Sequence, residues 1–428
     1  MRNTKQFKGI SRRQILLGGS AILAAPAILH HTRAYAANPV VKVGHVSPRT
    51  GPLAGFAEAD EHVLAGIAKA FAGGLDNNGK KVSVEIISKD SQSNPNRAAE
   101  VAGDLILRDE VDIIVAASTP DTTNPVAQQA EVNEVPCITT DCPWQPYFFG
   151  RQGDPAKGFD YTYHFFWGLE DVIAAFLDLW DSSGAGKSVA GIFPNDADGN
   201  AWGDPELGLP KPLAAAGYKL VDPGRYQPLA DDFSAQIAAY KDAGCEIVTG
   251  NMIPPDFATF WAQCAQQGFK PKVVTIGKAL LFPSVINSLG DRGDGLTTEI
   301  WWTPNHPFSS SLTGESAKSL GDGYVSATGR PWTQPIGFKH ALFEVTADVI
   351  KRAADLDDTA AIMAAIKSTK LSTIVGDVDW SKGPVPNVTK TPLVSGQWQK
   401  GADGFELVVT NNKNADFIAK TGELKLLS

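Results

Sequence analysis

Cysteine is scarce in this chain: Cys137, Cys142, Cys245 and Cys264 are the four in 428 residues. Four thiols cannot staple a fold of this length, and no C-x-x-C pair or zinc-type Cys/His spacing occurs, so a disulfide scaffold and a structural zinc site are both excluded. Buried thiols, a Cys137–Cys142 bridge and a Cys245–Cys264 bridge all remain open at this stage. Positive charge is also in deficit. There are 38 Lys and Arg residues against 47 Asp and Glu, a formal charge of −9. An acidic surface argues against nucleic acid and anionic membranes as partners. Long apolar runs are missing as well. Ile15–Leu29 is interrupted by Gly18, Gly19 and Pro26, and it falls short of the roughly 20 residues a spanning helix needs. The chain is therefore not membrane-embedded. H-E-x-x-H and G-x-S-x-G are absent, and the first β-α turn lacks the glycines a dinucleotide requires. No group of residues nominates itself as catalytic, and no metal or cofactor site is visible.

What is present begins with an address. Ser11-Arg12-Arg13-Gln14-Ile15-Leu16 sets paired arginines before the apolar run, and Ala34-Tyr35-Ala36 follows as a small-x-small cleavage site. Charged start, apolar middle and small-residue cut read as a secretory signal over residues 1–36, of the twin-arginine type. It carries six basic residues and no acid, so its removal takes the formal charge from −9 to −15. About 390 residues remain, more than one core comfortably serves, so two lobes are expected.

The pattern of the remainder is α/β. Val40–Val46 reads as a strand, Val63 to Phe71 as a helix face, Lys81–Ser88 as a half-buried strand and Arg97–Leu107 as a helix. Val111–Ala117 is apolar except at Asp112, the mark of a strand covered on both faces. Helix Pro125–Val132 and strand Val135–Thr139 complete a β-α-β-α-β-α-β series, which predicts a parallel sheet with right-handed crossovers. After Tyr161–Phe166 the series restarts, with strands Ser188–Phe193, Tyr218–Val221, Glu246–Gly250 and Lys272–Gly277 alternating with helices. Three late helical stretches, Gly314–Thr328, Gly337–Ala354 and Thr359–Ser368, lack strands of their own and must cover sheets already built. The chain is therefore expected to cross between lobes near Phe159–Tyr163, Trp301–Pro304 and Leu371–Val375. Lobe 1 would comprise 38–160 plus 304–372, and lobe 2 would comprise 161–303 plus 373–428.

Two motifs fail on inspection. Gly184-Ala185-Gly186-Lys187-Ser188 resembles a phosphate loop, but Asp181 stands where its first glycine belongs, and a helix precedes it instead of a strand. It reads as a glycine turn ending a helix. Asp196-x-Asp198-x-Asn200 resembles a calcium loop, but Ala201 and Leu207 occupy its glycine and glutamate positions. It reads as a polar loop.

Loops at the carboxyl ends of parallel strands are where open α/β sheets bind ligands. Those loops carry Phe56, the hydroxyl-rich Ser118–Thr123, Asp141–Trp144, Asp198–Gly203 with Trp202, Asn251–Pro255, and Gly277–Ala279 with Lys278. Ser118 and the three threonines that follow exceed what one helix cap needs, which marks a site for an anion or carboxylate.

An ordered set of short motifs then stands out. Val41-Lys42-Val43-Gly44 leads to Thr50-Gly51-Pro52-Leu53-Ala54-Gly55-Phe56. Asp90-x-x-Ser93-Asn94-Pro95, Pro136–Thr140, Trp202-Gly203, Gln266-Gln267-Gly268-Phe269 and Val375-Gly376-x-x-x-Trp380 follow. In this order, over Asn38–Gly401, the chain resembles the periplasmic solute-binding proteins of ABC transporters, in the branched-chain amino acid and amide group. The resemblance implies two Rossmann-like lobes joined by three crossovers and a small-molecule ligand held in the cleft between them. It also implies a membrane permease as partner, a periplasmic location and no chemistry performed. Family positions fall on Phe56, on Ser118, Thr119 and Asp121, on Asp141 and Trp144, on Trp202 and near Met252. Amino-acid binders place an acid near Lys278 or Ala279 to pair the ligand's ammonium, and here a lysine stands instead. A lysine would repel a ligand ammonium, so an organic acid or amide with an apolar or aromatic body is expected unless Lys278 points to solvent. Two other uses remain: the same fold as a sensor for a membrane receptor, and a secreted α/β enzyme.

Overall fold

The computed structural model describes residues 39–402 and 404–427, and the export signal expected at residues 1–36 lies outside them. The first sheet is built from β1 (Val40–Ser47), β2 (Leu75–Asn77), β3 (Lys80–Asp90), β4 (Ile113–Ala117), β5 (Cys137–Thr140) and β6 (Thr162–Phe165). Its helices are α1 (Asp60–Phe71), α2 (Pro95–Leu107), α3 (Pro120–Val132) and the short α4 (Trp144–Phe148). β1 lies between β3 and β4, parallel to both, and β4, β5 and β6 continue the parallel series. Every residue of β4 is buried, as a strand with helices on both faces must be. Asn94 starts α2 by accepting from the Asn96 and Arg97 amides, with Pro95 in the first turn where its missing N–H costs nothing.

α3 begins earlier than its sequence suggests. Thr119 is its N-cap and Pro120 its first residue, while Pro125 sits inside the helix. Of two prolines five residues apart, only one can be the starting proline, and the tertiary fold selects the first. Thr122 and Thr123, read as loop, are therefore buried in the opening turn of α3.

The second sheet contains β7 (Ser188–Ile192), β8 (Lys219–Val221), β9 (Ile247–Gly250), β10 (Val273–Ile276) and β11 (Thr297–Ile300). Its helices are α5 (Leu169–Ser183), α6 (Ala197–Trp202), α7 (Pro210–Ala215), α8 (Ser234–Asp242), α9 (Pro254–Gln266) and α10 (Pro283–Ser288). Gly184 closes α5 with a φ of 70°, the left-handed helix stop read from the sequence. Next come α11 (Ala317–Thr328), α12 (Pro335–Arg352), α13 (Thr359–Lys367), the hairpin β12 (Lys370–Thr373) and β13 (Gly376–Asp379), then β14 (Val388–Thr389), β15 (Val394–Gly401) and β16 (Gly404–Asn411). The two sheets run β14-β6-β5-β4-β1-β3-β2 and β16-β15-β11-β10-β9-β7-β8. Each is mostly parallel with an antiparallel edge.

Chain passages between the sheets differ from expectation at two of three points. β6 pairs with β5 and β14 pairs with β6, so both belong to the first sheet. The first passage therefore follows Phe165, after the expected Phe159–Tyr163. The third lies between Thr389 and Val394, beyond Leu371–Val375. The second, between Ile300 and α11, falls where Trp301–Pro304 suggested. The third was misplaced because the hairpin β12–β13 continues from α13 before β14 rejoins the first sheet; no local signal distinguishes it from a departing strand.

α12 is the buried pillar of the first lobe. Its Lys339 Nζ lies 2.7 Å from Asp60 Oδ1 of α1 and donates to Ser47 Oγ at the end of β1, also at 2.7 Å. Both charges are almost wholly removed from solvent. Breaking one side of such a pair strands the other, at a cost of about 3–5 kcal/mol. Asp60→Asn is expected to lower stability by that order in urea unfolding, and Asp60→Asn with Lys339→Met to regain most of it.

Candidate functional site

Parallel strands of both sheets end at one cleft, and the side chains that meet there come from those ends. Phe56 follows β1, Thr119 follows β4, Asp141 and Pro143 follow β5, and Phe166 and Trp167 follow β6. From the second sheet, α6 brings Asp198 and Trp202, the turn after β10 brings Lys278 and Leu281, and β11 brings Glu299 and Trp301. Together they line one narrow cavity. Five of the twelve lining residues are aromatic. Phe166 packs on Trp167 at 4.7 Å in a tilted arrangement and edge-on to Trp301 at 5.2 Å, the latter the T-shaped geometry that ring quadrupoles favour. A roomier hollow beside Trp261, Phe269 and Arg292 lies away from these strand ends.

Lys278 dominates the second-lobe half. Its Nζ is 3.0 Å from Asp196 Oδ2 and 3.1 Å from Asp198 Oδ2, and the residue is 5 % exposed. The side chain therefore does not point to solvent, and its charge is already matched. A ligand ammonium therefore meets no bare cation here, because the lysine with its two carboxylates is not a net positive group. Its backbone has φ 60° and ψ −68°, and the Ala279 amide donates to the Gly277 carbonyl at 2.7 Å. This is the γ-turn of positive φ, a rare and strained conformation. The Asp196-x-Asp198 pair that failed as a calcium loop holds the lysine instead. Asp196 also caps α6, accepting from the Gly199 amide at 2.6 Å.

Three acids that line the cavity, Asp141, Glu299 and Asp198, are perturbed. Burial pushes Asp141 up to about 8 and Glu299 to about 7. Asp198 rises to about 6, burial outweighing the attraction of Lys278. Both oxygens of Asp141 and Oδ1 of Asp198 are buried without a hydrogen-bond partner, as are Thr119 Oγ1 and the indole N–H groups of Trp167, Trp202 and Trp301. The loop bearing Asp141 is set by His164. Its Nε2 lies 2.8 Å from the Cys142 carbonyl and its Nδ1 2.9 Å from Thr139 Oγ1. A carbonyl can only accept, so Nε2 carries the proton. Burial holds this histidine down to about 3, hence neutral.

The lobes touch on both sides of the cavity. Phe56 meets Phe282 edge-on at 5.1 Å, Ser284 Oγ donates to Glu58 Oε2 at 3.0 Å, and the Ala197 amide donates to Asp121 Oδ1 at 3.3 Å. The cleft is closed.

Of the residues singled out in the sequence, Phe56, Thr119, Asp141, Trp202 and Lys278 line this cavity. Ser118 is buried at the end of β4, and Asp121 faces α6 across the cleft. Trp144 begins α4 and donates to Glu170 Oε1 at 3.1 Å. Met252 is buried in the core of the second lobe. Phe166, Trp167, Glu299 and Trp301 were missed as site residues. Glu299 had a signal, an acid inside a strand that is otherwise apolar or hydroxylic. Among the described residues all four cysteines are buried and unpaired.

Two outcomes follow from the charges. Lys278→Met leaves Asp196 and Asp198 facing each other unneutralised and is expected to cost about 3 kcal/mol in urea unfolding, with Asp198→Asn restoring part of it. The raised acids also give a pH signature. Each keeps its proton in the folded state at pH values where the unfolded chain has lost it, so their contribution is full below about 4 and is lost as pH rises through the folded values. The melting temperature of the closed form is expected to fall between pH 7 and 8, and Asp141→Asn to remove most of that fall.

Comparison with known proteins places this architecture. The profile of the family described as periplasmic binding protein matches residues 40–403. A Leu/Ile/Val-binding protein homolog of Brucella suis is 24% identical over 377 residues, covering 85% of this chain and 92% of its own. The closed Leucine-, isoleucine-, valine-, threonine-, and alanine-binding protein of Brucella ovis superposes with a TM-score of 0.70 at 20% identity, covering 91% of this chain and 98% of its own. A solute-binding protein of an ABC transporter from Rhodopseudomonas palustris, in complex with 3,4-dihydroxybenzoic acid, gives 0.70 at 19% identity, with 90% and 99% covered. With two lobes, three passages and a cleft at the strand ends, the chain belongs to the periplasmic binding protein family.

Proposed function

We propose that this protein captures a small organic ligand, a carboxylate or amide with an apolar or aromatic body, outside the cytoplasm. The lobes close over the ligand, and the closed form delivers it to an ABC permease without chemical change. The observation that carries the reading is the closed cavity itself: aromatic walls from both lobes enclose polar groups whose hydrogen-bonding capacity is unmet. Buried polar atoms without partners are costly, and a ligand with a flat or branched apolar body and a compact polar end satisfies them when the lobes part to admit it, since the closed space between the rings measures only about 20 Å³. Thr119 Oγ1 and the indole N–H groups suit a carboxylate or carbonyl oxygen. The paired Lys278 does not offer a free cation to a ligand carboxylate. An amide, which both donates and accepts, therefore suits the site at least as well as an acid. The relatives support the class: one carries Leu/Ile/Val binding in its name and another holds an aromatic acid.

Mass spectrometry of the ligand released from native protein tests the class directly, with calorimetry on leucine, aromatic acids and their amides. Binding of such a compound, recovered unchanged, is expected. A sugar, a metal chelate or turnover of the bound compound would overturn the reading. Trp202→Ala removes one wall of the cavity and is expected to weaken binding roughly tenfold or more, measured by the same calorimetry.

A further inference from the structure

The first sheet ends on an edge longer than the strand that covers it. β2 is the last strand of that sheet, and it pairs with β3 only at Lys80–Val82. Beyond Val82, β3 runs on to Asp90 with β1 on one side. The Ser83 amide donates to the Pro39 carbonyl and the Ser91 amide to the Ser47 carbonyl, at the two ends of β1. Odd-numbered residues of β3 therefore bond toward β1, and the amides and carbonyls of Val84, Ile86 and Ser88 point outward. Among the described residues no strand pairs with them. Side chains alternate across the same strand. Val84 and Ile86 border an open groove of about 480 Å³ beside α1, where Ala65 and Ala68 are exposed. Glu85, Ile87 and Lys89 take the opposite face, with Lys89 Nζ held 2.6 Å from Asp109 Oδ2. An edge this long and free is a template for another strand.

We propose that the occupant of this edge is a second copy of the chain, its β3 antiparallel to the first about a twofold axis at Ile87. Antiparallel pairing joins backbone groups that both point outward, so even-numbered residues must meet even-numbered ones. With Ile87 opposite Ile87, Ser88 meets Ile86 and Val84 meets Asp90, which satisfies that requirement. The same register sets Glu85 of each copy opposite Lys89 of the other. Both pairs fall in the narrow, non-hydrogen-bonded sites where side chains come closest, and opposite charges there are stabilising. A register centred on Ile86 sets Glu85 against Ile87 and Lys89 against Ser83. One centred on Ser88 sets Glu85 against Ser91 and Lys89 against Ile87. Only the Ile87 register matches both charges. The twofold also closes the contact: each free edge covers the other, and no open filament forms. At the groove, Ala65 and Ala68 present no bulk that would hold the second copy away. β3 supplies no residue to the cavity, so the pairing stands whatever the ligand proves to be.

Sedimentation equilibrium on the protein tests the pairing, and a concentration-dependent dimer is expected. Glu85→Lys sets lysine against lysine at both ends of the pair and is expected to weaken the dimer roughly tenfold or more. Lys89→Glu sets acid against acid and is expected to do the same. Mixed together, the two variants match every charge, and their heterodimer is expected to form with the strength of wild type. Ile87→Cys places two thiols at the axis, in a non-hydrogen-bonded pair with Cα atoms roughly 4.5 Å apart and within disulfide reach. Oxidation is expected to give a covalent dimer from it and none from Glu85→Cys, which stands off the axis. The four native cysteines are buried and do not compete. Monomer at every concentration, the result if the edge stays bare or takes a strand of another protein, would overturn the proposal. A dimer indifferent to both charge variants, or cross-linked through Glu85→Cys instead of Ile87→Cys, would overturn it equally. Wild-type sedimentation and the mixing of the charge variants decide the matter even if a cysteine variant does not fold.

Discussion

Lys278 sits in a strained turn at the end of β10 with its ammonium 3.0 and 3.1 Å from two carboxylates and nearly all of its surface buried. Removing an ammonium from water costs several kcal/mol, and only close, well-placed anions offset it. That requirement ties the turn after β10 to the start of α6, since Asp196 and Asp198 belong to that start. α6 in turn carries Trp202 into the cavity and offers the Ala197 amide to Asp121 of the other lobe. Position of an aromatic wall, neutralisation of the second-lobe charge and one of the contacts across the cleft thus depend on the same ion cluster.

The first lobe solves its own buried charge differently, and the difference shapes the site. Lys339 is satisfied by Asp60 and Ser47, and Asp141 at the cavity wall is left without a hydrogen-bond partner. The second lobe faces the cavity with a lysine already matched; the first faces it with an acid that is not. Between them, the passages that link the sheets supply the rings: Phe166 and Trp167 on the first, Trp301 on the second. The segments that connect the lobes also form part of the wall the ligand meets.

Much of the fold was legible in residue pattern. The apolar run within Val111–Ala117, unbroken from Ile113 on, the alternation of helix stripes with valine-rich strands, and the glycine stop at Gly184 each have a local physical cause, and each appears where its cause lies. The start of α3 was less legible, because Pro120 and Pro125 satisfy the same local rule. Within the site, Phe56, Thr119, Asp141, Trp202 and Lys278 could be named because strand ends face the cleft. Met252 and Trp144 stand at equally suitable strand ends but turn into the core and toward Glu170. A side chain's direction at the end of a strand depends on what packs beside it, which no neighbouring residue in sequence reports.

By itself the sequence determined the fold class, the two-lobed division and the loops that border the cleft, because these follow from periodicity, helix caps and the rule that parallel strands end together. Only the tertiary structure decided the meaning of the charges. Lys278 reads as a free cation in sequence and is a matched one in space, since its partners lie some eighty residues earlier in the chain, on α6. Asp141 reads as one more loop acid and proves to be the unpaired one. Electrostatic character belongs to distances and burial, and those exist only once distant parts of the chain have been brought together.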